Sequence, residues 1–273
     1  MINALTVDLE DWYHICGTTD NAMPSKWIEY ESRVTRNTDK VLSILRQYNT
    51  RATFFVLGYV AEKEPDLIRA IHREGHELAI HGYHHQRLFE LSREGFEEDV
   101  KKSIDIVRAV TGERVLGYRA PEWSIRNNTL WALCALKKLG ILYDSSMVPL
   151  TRMGERNFGH YPYMIKTEFG NIWEFPLTTM RFLWENLPFT GGLPLRISPY
   201  WYTLSKLKWM NKRYGQPGLV YVHPWEFDNE HSEIDLPMSR RFMHYFRIST
   251  TRPKLEGLLR HLKFGPVKEV IKL

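Results

Sequence analysis

Cysteine is scarce. Cys16 and Cys134 are the chain's two, and they lie too far apart in sequence for a CxxC redox or zinc-ribbon pattern and too few for a disulfide framework. Apolar residues nowhere run for the roughly 18 positions that a membrane-spanning helix needs. The opening MINALTVDLEDWYH meets acidic residues at once, without the basic flank and apolar stretch of a secretory leader. Together these absences lead to an expectation of cytoplasmic residence. Runs of one charge sign are missing too. The 37 Lys and Arg against 32 Asp and Glu leave a net +5 that is scattered along the chain, which argues against a nucleic-acid partner. There are no internal repeats and no low-complexity tracts.

What is present is enough chain for one large domain, 273 residues with 43% hydrophobic content, and α/β barrels commonly take about 250 residues as a single unit. Short apolar runs alternate with amphipathic segments. Residues 2–7, 51–57, 76–80, 115–118 and 141–143 read as strands. Between them, 38–48, a segment from Pro65 to Gly75, one from Ser92 to Gly112, and 129–139 read as helices. Such alternation predicts a parallel sheet or barrel with its chemistry at the carboxyl ends of the strands. Residues 150–215 are rich in aromatics, Gly and Pro and weakly patterned, so they read as a long insertion over the barrel mouth. Residues 218–222 return to strand, and 250–273 hold a closing helix.

Five polar groups follow predicted strands. Asp8, Glu10 and Asp11 crowd the end of the first, and three carboxylates so close are tolerable when a cation or a basic residue neutralises them. HGYHH follows the third strand. The four-residue spacing of His81 and His85 suits a metal held from one side of a helical turn, with His84 the alternative. The nearby His76-Glu77 misses the HExxH spacing by one residue. YRAPEW brings Arg119, a permanent charge able to grip a carboxylate, with Pro121 and Trp123 as candidate groove walls. Asp144 ends the ILYD run, and His223 ends GLVYVH.

Taken in order, TVDLED, HGYHH, YRAPEW, YDSS and VHPWE resemble the five motifs of the NodB-homology polysaccharide deacetylases, carbohydrate esterase family 4. FTGGLPLRISPYW, HPWEFD and the tail RRFMHYFRISTTRPKLEGLLRHLKF are similar to the subgroup associated with exosortase and exopolysaccharide clusters. The resemblance implies a distorted (β/α)7 barrel spanning 1–273 as one domain. It also implies a divalent metal, Zn first, and an N-acetylated glycan substrate that loses acetate. It makes Asp8 the general base, His81 and His85 metal ligands, Arg119 the residue that orients Asp8, and His223 the general acid tuned by Asp144. Leu9 stands where the commonest pattern has its acidic ligand, so Glu10 and Asp11 both remain candidates, with alternation along an extended strand favouring Glu10. Trp201, Tyr200 and Arg196 are candidate sugar contacts in the insertion. The alternatives are a metal-independent hydrolase of cyclic ureides on a similar barrel, or a catalytically silent carbohydrate binder.

Overall fold

The computed structural model of the chain describes residues 1–16, 23–151, 153–230 and 234–273. The chain runs β1 (Ile2–Leu9), α1 (Val34–Gln47), β2 (Thr53–Val56), α2 (Gly58–Lys63), α3 (Pro65–Arg73), β3 (Glu77–Ile80), α4 (Arg93–Thr111), β4 (Gly117–Tyr118), α5 (Trp131–Lys138) and β5 (Tyr143–Asp144). It continues through the hairpin β6 (Tyr163–Thr167) and β7 (Gly170–Glu174), a second hairpin of β8 (Thr179–Phe182) and β9 (Glu185–Pro188), then α6 (Gly192–Ile197) and α7 (Tyr200–Tyr214). It closes with β10 (Leu219–Val222), α8 (Met238–Tyr245), α9 (Thr251–His261), β11 (Lys263–Gly265) and α10 (Val267–Val270).

Strands pair in the order β10-β1-β2-β3-β4-β5-β7, all parallel, with β6 antiparallel on β7 and β11 beside the start of β1. Seven parallel strands match the expected distorted (β/α)7 barrel. At the seam, Leu219 N–H donates to Thr178 Oγ1 at 2.6 Å, and a single parallel bridge joins Gly191 to Tyr221. Side-chain direction alternates along each strand. Leu5, Val7 and Leu9 of β1 and Phe54 and Val56 of β2 pack outward under the helices, while Ala4, Phe55, Ala79, Tyr143, Leu219 and Tyr221 fill the inside. Truncating Leu5, Phe54 or Phe55, each fully buried, to Ala removes packing worth about 2–5 kcal/mol.

Two expectations change. Residues 150–215 are not an insertion laid over a finished barrel, because they supply β7, the seventh parallel strand. The strand was hidden because GNIWE is short and half polar. Helix α1 begins at Val34, four residues before the apolar periodicity does. Its first turn is held by a carboxylate from elsewhere in the chain: Asp11 Oδ2 accepts from Arg33 N–H at 2.8 Å, Val34 N–H at 3.1 Å and Ser32 Oγ at 2.9 Å. A remote carboxylate satisfies helix-start donors as an N-cap does.

Candidate active site and metal centre

Asp8 shares the inward phase of β1 with Ala4 and Thr6, and Glu10, one residue past the strand after a turn that closes Glu10 N–H onto the Asp8 carbonyl at 3.0 Å, joins it at the mouth of the barrel. Arg119, just past β4, is fully buried. It donates through Nη1 to Asp8 Oδ1 at 2.5 Å and Thr6 Oγ1 at 2.9 Å, through Nη2 to Ser145 Oγ at 3.0 Å, and through Nε to the Ser145 carbonyl at 3.1 Å. Its guanidinium packs against the rings of Phe55 and Trp123, 4.0 and 4.4 Å from their centroids. All three guanidinium nitrogens donate and two rings pack against the group, so this arginine can turn only with its surroundings, and Asp8 is held in one orientation.

Glu10, His81 and His85 each bring a ligand atom within 4.8 Å of the others, and all three are buried. Residues 81–85 are not helical. The pair converges because Gly82 and His85 adopt left-handed φ of 72° and 53°, and Asp99 on α4 pins the loop by accepting from Tyr83 N–H at 2.8 Å. His81 Nδ1 lies 2.7 Å from the Arg119 carbonyl, which fixes a proton there and turns Nε2 inward. Burial lowers the pKa of His81 to about 4, so its ring is neutral, as a metal ligand must be. His84 is exposed and points away.

His85 supplies the test of fit. The Cys16 thiol donates to the His85 carbonyl at 2.9 Å, so Nδ1, 3.3 Å from the sulfur, carries a proton toward it. Nε2 then presents a lone pair to Glu10 Oε2 at 2.8 Å, and that oxygen has no hydrogen-bond partner among the described residues. Two lone pairs this close require a cation between them, a second proton or a metal. Burial opposes charge on His85, yet Cys16 and Glu10 raise its pKa well above the ordinary value. Burial also lifts the Cys16 thiol, so the attraction that counts is that of Glu10. Burial works against charge on Glu10 as well, but His85, His223 and His81 outweigh it and hold Glu10 far below the usual range. Two imidazoles and one carboxylate fit a Zn-type ion with positions left open.

Asp11 is not part of this set. Beyond its three contacts at the start of α1, its Oδ1 accepts from Trp12 N–H at 2.9 Å. His223 stands across from the donors, with Nε2 3.2 Å from Glu10 Oε1 and 3.9 Å from Asp8 Oδ2. Its Nδ1 faces Glu226 Oε1 at 2.6 Å. Burial would lower its pKa, but Glu226 and then Glu10 raise it.

Several expected placements need correction. The carboxylate on His223 is Glu226, not Asp144. Asp144 is fully buried and bonded to Ser146 Oγ at 2.5 Å. Burial raises the pKa of Asp144 and of Glu174, its register partner on β7, and the charge of Asp144 helps lift Glu174 well above the usual range. Trp123 is 4% exposed, backing Arg119 rather than walling an open groove, and Pro121 is buried beside it. Arg196 is buried against Glu226, with Nε 3.4 Å from Oε2, and Tyr200 donates to the Gly257 carbonyl on α9 at 2.9 Å. Of these aromatic and basic candidates, Trp201 stands exposed. Sequence reasoning missed Glu226, Cys16 and His14. Glu226 had a signal, its i+3 spacing from His223 in HPWE, which a 3-10 turn eclipses. His14 accepts from Asp11 N–H through Nδ1 at 3.0 Å, and burial lowers its pKa to about 3.

Residues 19–143 match the family model described as polysaccharide deacetylase, and residues 145–272 match one described as a domain of unknown function (DUF3473). Residues 19–143, slightly under half of the chain, therefore carry a polysaccharide deacetylase domain of the NodB-homology class, carbohydrate esterase family 4. The chain is 35% identical to a peptidoglycan-N-acetylglucosamine deacetylase of Bacillus cereus over 35% of this chain and 35% of that protein. It is 30% identical to a peptidoglycan deacetylase of Helicobacter pylori over 40% of this chain and 36% of that one. The chain thus spans about a third of the length of these curated relatives. The crystal structure of a putative polysaccharide deacetylase from Mycobacterium smegmatis superposes with a TM-score of 0.66 at 23% identity, covering 98% of this chain and 88% of that one. The likeness of fold therefore extends through the residues matched by the second model.

Proposed function

We propose that the chain is a divalent-metal-dependent N-deacetylase that releases acetate from an N-acetylated sugar of a polysaccharide or its precursor. The observation that carries this reading is the convergence of Asp8, Arg119 and His223 on the buried Glu10–His81–His85 donor set. A silent binder needs no such arrangement, and a metal-independent ureide hydrolase has no use for two imidazoles with their Nδ1 atoms already engaged. In this reading Glu10 is the acidic ligand, since both oxygens of Asp11 are occupied. The tail's resemblance to exopolysaccharide-associated deacetylases favours a glycan of that kind.

An amide resists hydrolysis because its carbonyl is a weak electrophile and its amine a poor leaving group. When bound, the cation, Zn in our reading, supplies Lewis acidity, polarising the carbonyl and bringing the pKa of water toward about 7. Asp8, fixed by Arg119, takes the proton of the attacking water. His223 Nε2–H gives its proton to the nitrogen as the C–N bond breaks, leaving acetate and a free amino sugar. The test is acetate release from an N-acetylated chitooligosaccharide. Asp8→Asn lowers kcat by about 100-fold or more, and chelation abolishes turnover until metal is restored. Near-normal release by the variant, or full activity after chelation, overturns the proposal.

A further inference from the structure

The second half of the chain, which matches a family model of unknown function, contributes more to the site than one histidine. His223, Glu226, Arg196 and Thr251 all lie within 145–272. Glu226 divides its oxygens between two tasks. Oε1 accepts from His223 Nδ1–H at 2.6 Å and from the backbone N–H of the same residue at 3.2 Å. Oε2 accepts from Thr251 Oγ1 at 2.9 Å and faces Arg196 Nε at 3.4 Å. Glu226 and Arg196 are each 1% exposed.

Arg196 in turn grips the end of α8. Its Nη1 donates to the carbonyls of His244 and Phe246, both at 2.8 Å, and Nη2 to that of Met243 at 2.6 Å. The same end of α8 reaches the acid by a second route. Trp225 stacks on His223 with centroids 5.0 Å apart and planes at 22°, and on His244 at 3.9 Å and 20°. The imidazole of His223 is thus fixed in its plane by Glu226 and across its plane by Trp225.

We propose that Glu226, held by Arg196 and Thr251, is the positioning residue of His223, and that the role of the 145–272 region is to build and clamp this acid side of the site. The proposal rests on the deacetylase reading for its kinetic consequence but not for its geometry. A buried carboxylate–guanidinium pair is weak evidence of a stabilising role, because desolvation offsets its Coulombic gain. Its arrangement has a chemical use here. With Nδ1–H donating a hydrogen bond to Glu226, the proton that moves is the one on Nε2, which faces Asp8 and Glu10. After transfer, Nε2 keeps the lone pair and Nδ1–H stays where it was.

The experiment uses the full chain loaded with Zn and tetra-N-acetylchitotetraose as the probe. Glu226→Gln keeps the shape but removes the charged acceptor, and kcat falls about 10- to 100-fold with KM within about twofold. Glu226→Asp recovers part of the loss. Arg196→Lys keeps a charge but cannot reach three carbonyls, and it lowers kcat by a smaller factor. In 15N-histidine spectra, the wild-type protein shows one strongly downfield Nδ1–H assigned to His223, and Glu226→Gln loses or shifts it. Retention of kcat within about threefold in a folded Glu226→Gln protein overturns the proposal, as does an unchanged His223 resonance. Should Glu226→Gln fail to fold, Thr251→Val releases one bond to Oε2, and an unmoved His223 resonance there also overturns it. If the wild-type protein releases no acetate, the deacetylase reading fails, while the resonance still decides the positioning claim.

Discussion

The two halves of the molecule build the same site by different means. In residues 1–144, the polar side chains sit on or soon after barrel strands: Asp8 on β1, His81 after β3 and Arg119 after β4, with His85 turned in by the loop that follows β3. In residues 145–272, one strand end provides His223, the turn that follows it provides Trp225 and Glu226, and the groups that hold this turn come from helices far away in sequence. The first half is a frame that carries donor atoms. The second is a clamp around one histidine. The frame is rigid because its polar groups answer one another within the sheet. The clamp depends on α6, α8 and α9 docking correctly, so it is where small changes in packing reach the chemistry.

The sharpest way to break this contrast is to remove a donor from the frame. His81→Ala is expected to abolish stoichiometric Zn binding and to bring acetate release to the background, an effect exceeding 1000-fold in roughly the way that loss of a catalytic metal does. His85→Ala should do the same, because each is one of the three donors that converge here. Metal analysis of the purified variants, together with melting temperature, separates loss of the ion from loss of the fold. A variant that binds one Zn with near-wild-type affinity would show that the donor set has been misassigned.

Much of the frame was readable because its signals are local. TVDLED places three acids at a strand end, alternation sends Asp8 and Glu10 the same way, and HGYHH carries a glycine that can take the left-handed turn its histidines need. The clamp was not readable. Arg196 finds Glu226 across 30 positions of sequence, and its other partners are backbone carbonyls, which have no sequence signature. Strand β7 escaped for a similar reason: GNIWE is too short and too polar to announce itself, and its pairing with β5 is set by the barrel. Asp144 misled because its motif resembled a family pattern while its environment differed. Its carboxylate is buried against Ser146 Oγ and lies opposite Glu174 on the neighbouring strand, while the carboxylate that His223 meets is Glu226.

A second test probes the electrostatics of the frame. In the metal-free protein Glu10 raises the pKa of His85, so a proton competes with the ion for Nε2. The sign follows directly. Below the raised pKa, His85 must lose its proton before it can ligate, so Zn affinity increases with pH. An ordinary histidine is largely deprotonated by about pH 7.5, and the gain would end there. Here the gain should persist above that point. Competition titrations with a Zn chelator dye between about pH 6.5 and about pH 8.5 give the slope. A curve that flattens at neutral pH would mean that Glu10 does not hold a proton on His85. The effect is smaller than loss of a donor, on the order of 10-fold across the window.

The smallest effect separates the two acids that the sequence left in competition. Asp11→Ala removes acceptors from Trp12, Ser32, Arg33 and Val34 at once. Losing a helix-start cap and leaving donors buried costs about 2 kcal/mol, which lowers Tm by roughly 4–8 °C for a chain of this size. Zn binding should stay stoichiometric and kcat within about threefold, because no oxygen of Asp11 faces the donor set. Glu10→Ala should invert the result, losing the ion while altering Tm of the metal-free protein far less, since it removes one of two mutually repelling lone pairs along with the carboxylate. Equal loss of Zn in both variants would move Asp11 into the metal centre and dissolve the separation between a carboxylate that holds the frame together and one that works within it.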